Sequence, residues 1–141
     1  MAYWVCHYHI VWATYGRQPI ITPTLEPLIA HGLQRASEQL GCRLLAHNGP
    51  ADHLHAAVSI PPSLPVSRWV GAAKGLASRE VNIAFPNAPE RFRWQTGYSV
   101  HSFGERHLHE VLAYIQDQKH HHANQTTNVY LEYLDPADSE V

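Results

Sequence analysis

Apolar and polar residues alternate from Tyr3 to Ala13. Trp4, Cys6, Tyr8, Ile10 and Trp12 fall on one side, and Tyr3, Val5, His7, His9 and Val11 on the other. A period of two is that of a strand, so this run is read as the first strand, and Thr14 to Pro19 as a loop. Thr24 suits a helix cap and Pro27 a first turn. Leu25, Leu28, Ile29, Leu33, Ala36 and Leu40 then recur at helical spacing up to Gly41, a natural stop. Arg43 to His47 reads as a second strand, Asn48-Gly49-Pro50 as a turn, and Asp52 to Ile60 as a third strand. The prolines at 61, 62 and 65 force a break. Ser67 is read as the cap of a second helix, with Val70, Ala73, Leu76, Ala77 and Val81 as its apolar stripe. Phe85 to Arg93 is a loop, Tyr98 to Phe103 a fourth strand ended by Gly104, and Glu105 or Arg106 to about His122 a third helix burying Leu108, Val111, Leu112 and Ile115.

The order β-α-β-β-α-β-α predicts an α+β fold of the ferredoxin-like or RRM-like plan: an antiparallel sheet with two helices on one face. Strands one and three then lie side by side at its centre. Their polar positions bring His7, His9, His53 and His55 to the face away from the first two helices, where the third helix can cover them. The chain is long enough for one domain with its own core, expected over residues 1–125, followed by a polar, acidic tail over 126–141.

Composition adjusts this picture little. The N-terminal apolar run is interrupted by His7 and His9 and has no basic flank, so neither a signal peptide nor a membrane span is expected. Two cysteines without a CxxC exclude a disulfide framework and a cysteine zinc site, and point to a reducing cytoplasm. The net charge of -2 is unevenly spread. Glu132, Asp135, Asp138 and Glu140 lie in the last ten residues; without them 10 bases face 8 acids. Arg68, Lys74, Arg79, Arg91 and Arg93 meet only Glu80 and Glu90 in their stretch. That is either a basic binding surface or a solvated helix face and loop.

The candidate chemistry lies in two places. On a strand, His53 and His55 point the same way, while Leu54, Ala56, Val58 and Ile60 face the core. Two neutral imidazoles on a rigid strand are half of a divalent metal site; the alternative is a polar pair on an open sheet face. His7-Tyr8-His9 is a second such pair, read as ordinary sheet polarity or as support near the site. Tyr114 and Gln118 are four apart on a helix, hence about 40° apart around its axis and about 6 Å along it. A phenol and an amide can therefore reach one site; the alternative is a core Tyr with a surface Gln. His107-Leu108-His109-Glu110 fails the zincin spacing, because Ala113 stands where the second His is needed. The zinc-deaminase signature and the paired HxS/T motifs of 2H phosphoesterases are absent. His120, His121 and His122 suit the negative end of a helix.

Tyr8-His9-Ile10-Val11-Trp12-Ala13-Thr14, Asp52-His53-Leu54-His55, Lys74-Gly75-Leu76-Ala77-Ser78-Arg79, Trp94 to Val100 and Tyr114-Ile115-Gln116-Asp117-Gln118 follow one another in an order that resembles the Y1 HUH transposases of the IS200/IS605 type, which include the REP-associated tyrosine transposases. The resemblance implies an enzyme acting on hairpins in single-stranded DNA. It implies Tyr114 as nucleophile, Mg²⁺ or Mn²⁺ held by His53, His55 and Gln118, and a homodimer. Lys74, Arg79, Arg91 and Arg93 are the candidate DNA contacts. A domesticated nuclease acting on repeat hairpins, and a non-catalytic RRM-like binding domain, are the alternatives.

Overall fold

The computed structural model describes residues 2–119. Seven elements follow in the expected order: β1 (His7–Ala13), α1 (Glu26–Leu40), β2 (Arg43–Asn48), β3 (His53–Ser59), α2 (Val66–Ala84), β4 (Ser99–Phe103) and α3 (Leu108–Gln116). The sheet has the order β2-β3-β1-β4 and is antiparallel throughout, with β1 and β3 central. The expected end of the third helix at His122 and the tail over 126–141 lie outside the described residues.

Tyr3 to Cys6 alternate but do not pair as strand. β4 ends at Phe103 opposite His7, and β3 at Ser59 opposite the same residue. One further bond, Ile60 N–H to the Cys6 carbonyl, precedes Pro61, which has no N–H to continue the ladder. Thr24 is not the cap of α1. A turn precedes the helix, in which the Thr22 carbonyl accepts from Leu25 and Glu26, and Leu25 already has helical angles. Ser67 lies inside the first turn of α2, because the cap position falls on extended Pro65, two residues earlier. Gly41 does stop α1, in a left-handed conformation at φ 69°.

Strand alternation divides the interior into two cores. Ile10, Trp12, Leu54, Ala56, Val58 and Ile60 face α1 and α2, where they meet Ile29, Leu33, Trp69, Val70 and Ala73. The buried Trp69 indole donates to Ser37 Oγ at 3.0 Å, and that hydroxyl donates to the Leu33 carbonyl. Leaving such a donor unpaired would cost about 1–3 kcal/mol. The two helices pack closely at Gly32, where a β-carbon would stand 2.5 Å from the backbone of Ala77. On the opposite sheet face, Ala57 packs with Val111 and Ile115 of α3. The odd-numbered positions of β1 and β3, which include the histidines, therefore lie under α3. Cys6 and Cys42 are free thiols, and no helix among the described residues is long and apolar enough to cross a membrane.

Candidate active site

His53 and His55 sit on β3 with their rings 5.1 Å apart and are almost wholly buried. The bland alternative for this pair, an open polar face, does not hold. In each ring Nδ1 is engaged by a neighbour. His53 Nδ1 lies 2.8 Å from Asp52 Oδ1. That hydrogen bond holds the Asp52 carboxyl below its ordinary range against the opposing effect of burial, helped by the nearby Arg17. A carboxylate only accepts, so His53 donates from Nδ1, and in the neutral ring Nε2 is then the nitrogen without a proton. His55 Nδ1 lies 2.8 Å from Nε2 of His9, and the two rings meet edge to edge, 5.0 Å between centroids and inclined by 27°. His7 turns to a different partner, Glu105, at 2.7 Å.

Tyr114 on α3 presents its ring edge-on to this group, 6.2 Å from the His55 ring and 6.4 Å from that of His9. Gln118 lies beyond the end of α3, which stops at Gln116; Asp117 interrupts the helix at φ -101° and ψ 18°. The tyrosine and glutamine are thus not related by unbroken helical geometry. Tertiary bonds set the glutamine instead. Asn48 Nδ2 donates to the Gln116 carbonyl at 3.0 Å, satisfying a helix-end acceptor. Lys119 Nζ donates to Asn48 Oδ1 and to the Gly49 carbonyl, and pairs with Glu26 at 2.9 Å. Asn48 is the register partner of His55, so Gln118 is held from both sides against the strand that carries the histidines. Its side chain is fully buried, and neither amide atom has a hydrogen-bond partner among the described residues.

That orphaned amide is the feature of the site that fits a cation. Two imidazoles and a carbonyl oxygen are a suitable donor set for a divalent ion, and an ion would satisfy an acceptor that the described residues leave unpaired. Among the described residues no group of three His, Cys, Asp or Glu side chains could hold a metal. A three-residue donor set at this place would have to include the amide.

The four candidate DNA contacts differ in their surroundings. Lys74 Nζ donates to the Gln95 carbonyl at 2.7 Å and to that of Gly97 at 3.0 Å, tying the segment before β4 to α2. Its ammonium is used within the fold. Arg79 and Arg91 are exposed. Arg93 lies over the Tyr15 ring at 3.8 Å, and with Arg91, Glu90 and Gln18 it borders an open cavity of about 460 Å³. Sequence reasoning missed Asn48 and Lys119 as anchors of Gln118. Asn48-Gly49 carried only a turn signal, and nothing local links it to residues nearly seventy positions away.

The family model described as transposase IS200 like matches residues 2–118. The transposase for insertion sequence element IS200 of Salmonella typhimurium is 29% identical over 119 residues, covering 82% of this chain and 78% of the relative. The ISDra2 transposase TnpA of Deinococcus radiodurans is 23% identical over 115 residues, covering 79% of this chain and 82% of the relative. Two solved structures share the fold. One is a Deinococcus radiodurans protein provisionally named a transposase, with a TM-score of 0.67 at 24% identity over 83% of this chain and 93% of that one. The other is a REP-associated tyrosine transposase bound to a REP hairpin, with a TM-score of 0.61 at 13% identity over 86% of this chain and 73% of that one.

Proposed function

The chain belongs to the IS200-like transposase family, and we propose from that premise that it cuts and rejoins single-stranded DNA by passing a strand through Tyr114. The observation that carries the reading is the Tyr114 ring set against the His55 and His9 imidazoles on a buried sheet face. Tyr114 Oη attacks the phosphorus of a phosphodiester. The bond to the 3′ oxygen breaks, the phenol loses its proton, and the departing oxygen takes one up. The products are a 5′-phosphotyrosine and a free 3′-OH. The energy of the broken bond is kept in the new ester, so a strand can be rejoined without an external energy source.

A phenol near its ordinary pKa of about 10 is a weak nucleophile at neutral pH. We assign His53, His55 and Gln118 as the residues that would hold Mg²⁺ or Mn²⁺, which when bound would neutralise and polarise the attacked phosphate. Asp52 fixes the ring of His53 for that task. The anchors on Asn48 and Lys119 hold Gln118, and α3 covers the face so that these groups meet the DNA already oriented.

A hairpin in single-stranded DNA is the proposed substrate, supported by the hairpin held by a structural relative. Arg79, Arg91 and Arg93 are the residues proposed to touch phosphate; Lys74 supports them through the backbone it ties down. We also assign a homodimer acting in the cytoplasm. β4 is a sheet edge with Val100 exposed, a surface suited to another copy, and sedimentation at twice 15.9 kDa would check it. The test of the activity is incubation of the full chain with a labelled hairpin oligonucleotide, with Mn²⁺ or with EDTA. A covalent protein–DNA adduct that needs the metal is the expected result. Hairpin binding with no cleavage under any divalent ion would contradict it and favour the non-catalytic binding domain.

A further inference from the structure

His9 is fully buried in the central strand β1, two residues from a second histidine and diagonal to His55. Its register partner on β3 is Ala57, whose small side chain leaves room for the His9 ring to lean toward His55. The two rings are nearly parallel, at 27°, and share the 2.8 Å contact between His9 Nε2 and His55 Nδ1. One proton occupies that contact, and its owner matters. If His9 donates, the proton of neutral His55 must lie on Nε2, which then has no lone pair for a cation. If His55 donates from Nδ1, its Nε2 is a ligand.

We propose that His9 is the positioning residue of His55. Its Nε2 accepts a hydrogen bond from His55 Nδ1–H, which keeps the proton of the neutral His55 ring off Nε2, the nitrogen that would bind a divalent cation. The inference rests on the metal reading given above. It makes the two ligands unequal: His53 is held by the carboxylate of Asp52, and His55 by a neutral imidazole on a neighbouring strand. His9 thereby orients its ligand without adding a charge to the site. Partners of this kind fix ring orientation and tautomer, and their loss typically weakens metal binding by about 10- to 100-fold. The competing explanation is that His9 is a buried packing residue whose polar atom happens to find a neighbour.

Two measurements on the full chain separate these. The first is Mn²⁺ titration calorimetry on wild type, His9→Leu and His9→Gln. Leu fills a similar volume but cannot accept, whereas Gln places an oxygen near the position of the imidazole Nε2. Leu should weaken Mn²⁺ binding by about 10- to 100-fold, and Gln should recover most of it. Wild-type affinity in a folded His9→Leu protein would overturn the proposal. The second is ¹⁵N NMR of the imidazoles in wild type, alone and with Mg²⁺. It should show His55 protonated at Nδ1, with a coupling across the bond to His9 Nε2. A proton on His55 Nε2 would overturn the proposal even if His9→Leu failed to fold. If wild type bound no Mn²⁺, the metal reading would fall, and the spectrum would still decide which ring donates.

Discussion

Gln118→Leu should make the metal-free protein more stable and remove its response to metal. The wild-type side chain is fully buried, with Oε1 and Nε2 both unpaired among the described residues. Each such atom costs about 1–3 kcal/mol of lost hydration. Leucine has a similar size and no polar atom, so the substitution should recover about 2 kcal/mol or more. For a chain of this length that is roughly a 5–8 °C rise in Tm. Wild type at a Mn²⁺ concentration of about 100 times its Kd should gain about 2.7 kcal/mol from binding, closing or reversing the gap. The assay is a pair of thermal melts for each protein, in EDTA and in Mn²⁺. The expected pattern is a variant that melts higher than wild type in EDTA and shows little shift with Mn²⁺. A variant that melts lower in EDTA, or that keeps the full Mn²⁺ shift, would refute the reasoning that Gln118 is held at a cost for a ligand.

Other substitutions probe the frame around the site. Gly32→Ala places a β-carbon 2.5 Å from the Ala77 backbone and should cost about 1–3 kcal/mol by forcing α1 and α2 apart, read as a lower urea midpoint. Lys74→Met should lower stability through loss of the bonds to Gln95 and Gly97, whereas Arg79→Ala should leave the melt unchanged and reduce the salt dependence of hairpin binding by about one unit of log–log slope. The depressed Asp52 pKa means that the unfolded chain binds its proton more readily. The stabilisation from Asp52 should therefore be complete above its unfolded value near 3.9 and fade as pH falls through the lower folded value. The stability difference between wild type and Asp52→Asn, from urea melts between pH 6 and 2.5, should shrink toward acid.

The elements near the site were legible because their periodicity is strong. Tyr8 to Ala13 and Leu54 to Ile60 alternate cleanly, and that alone placed His9, His53 and His55 on one face and the core on the other. The N-terminal limit of β1 was not legible: Tyr3 to Cys6 alternate equally well, but neither neighbouring strand extends to pair with them. Capping residues misled at Thr24 and Ser67, where turns and a proline decide the start of the helix. At the site, spacing put the His pair and Tyr114 toward one sheet face, but the contact between His55 and His9 on another strand could not be read from it. Gln118 was singled out through an unbroken helix, whereas the structure holds it through Asn48 and Lys119 past a break at Asp117. The cluster of cations illustrates the same limit: sequence proximity grouped Lys74 with Arg79, Arg91 and Arg93, yet Lys74 spends its charge on backbone carbonyls.

The central claim is that Tyr114 takes the DNA strand. The most direct measurement is to trap the covalent adduct formed on a hairpin oligonucleotide and map it by peptide mass spectrometry, in wild type and in Tyr114→Phe. The account predicts one phosphotyrosyl linkage, on Tyr114, and none in the phenylalanine variant, which should still bind the hairpin and Mn²⁺. A linkage on Tyr3, Tyr8, Tyr15, Tyr98, Tyr130 or Tyr133, or cleavage that persists in Tyr114→Phe, would contradict it.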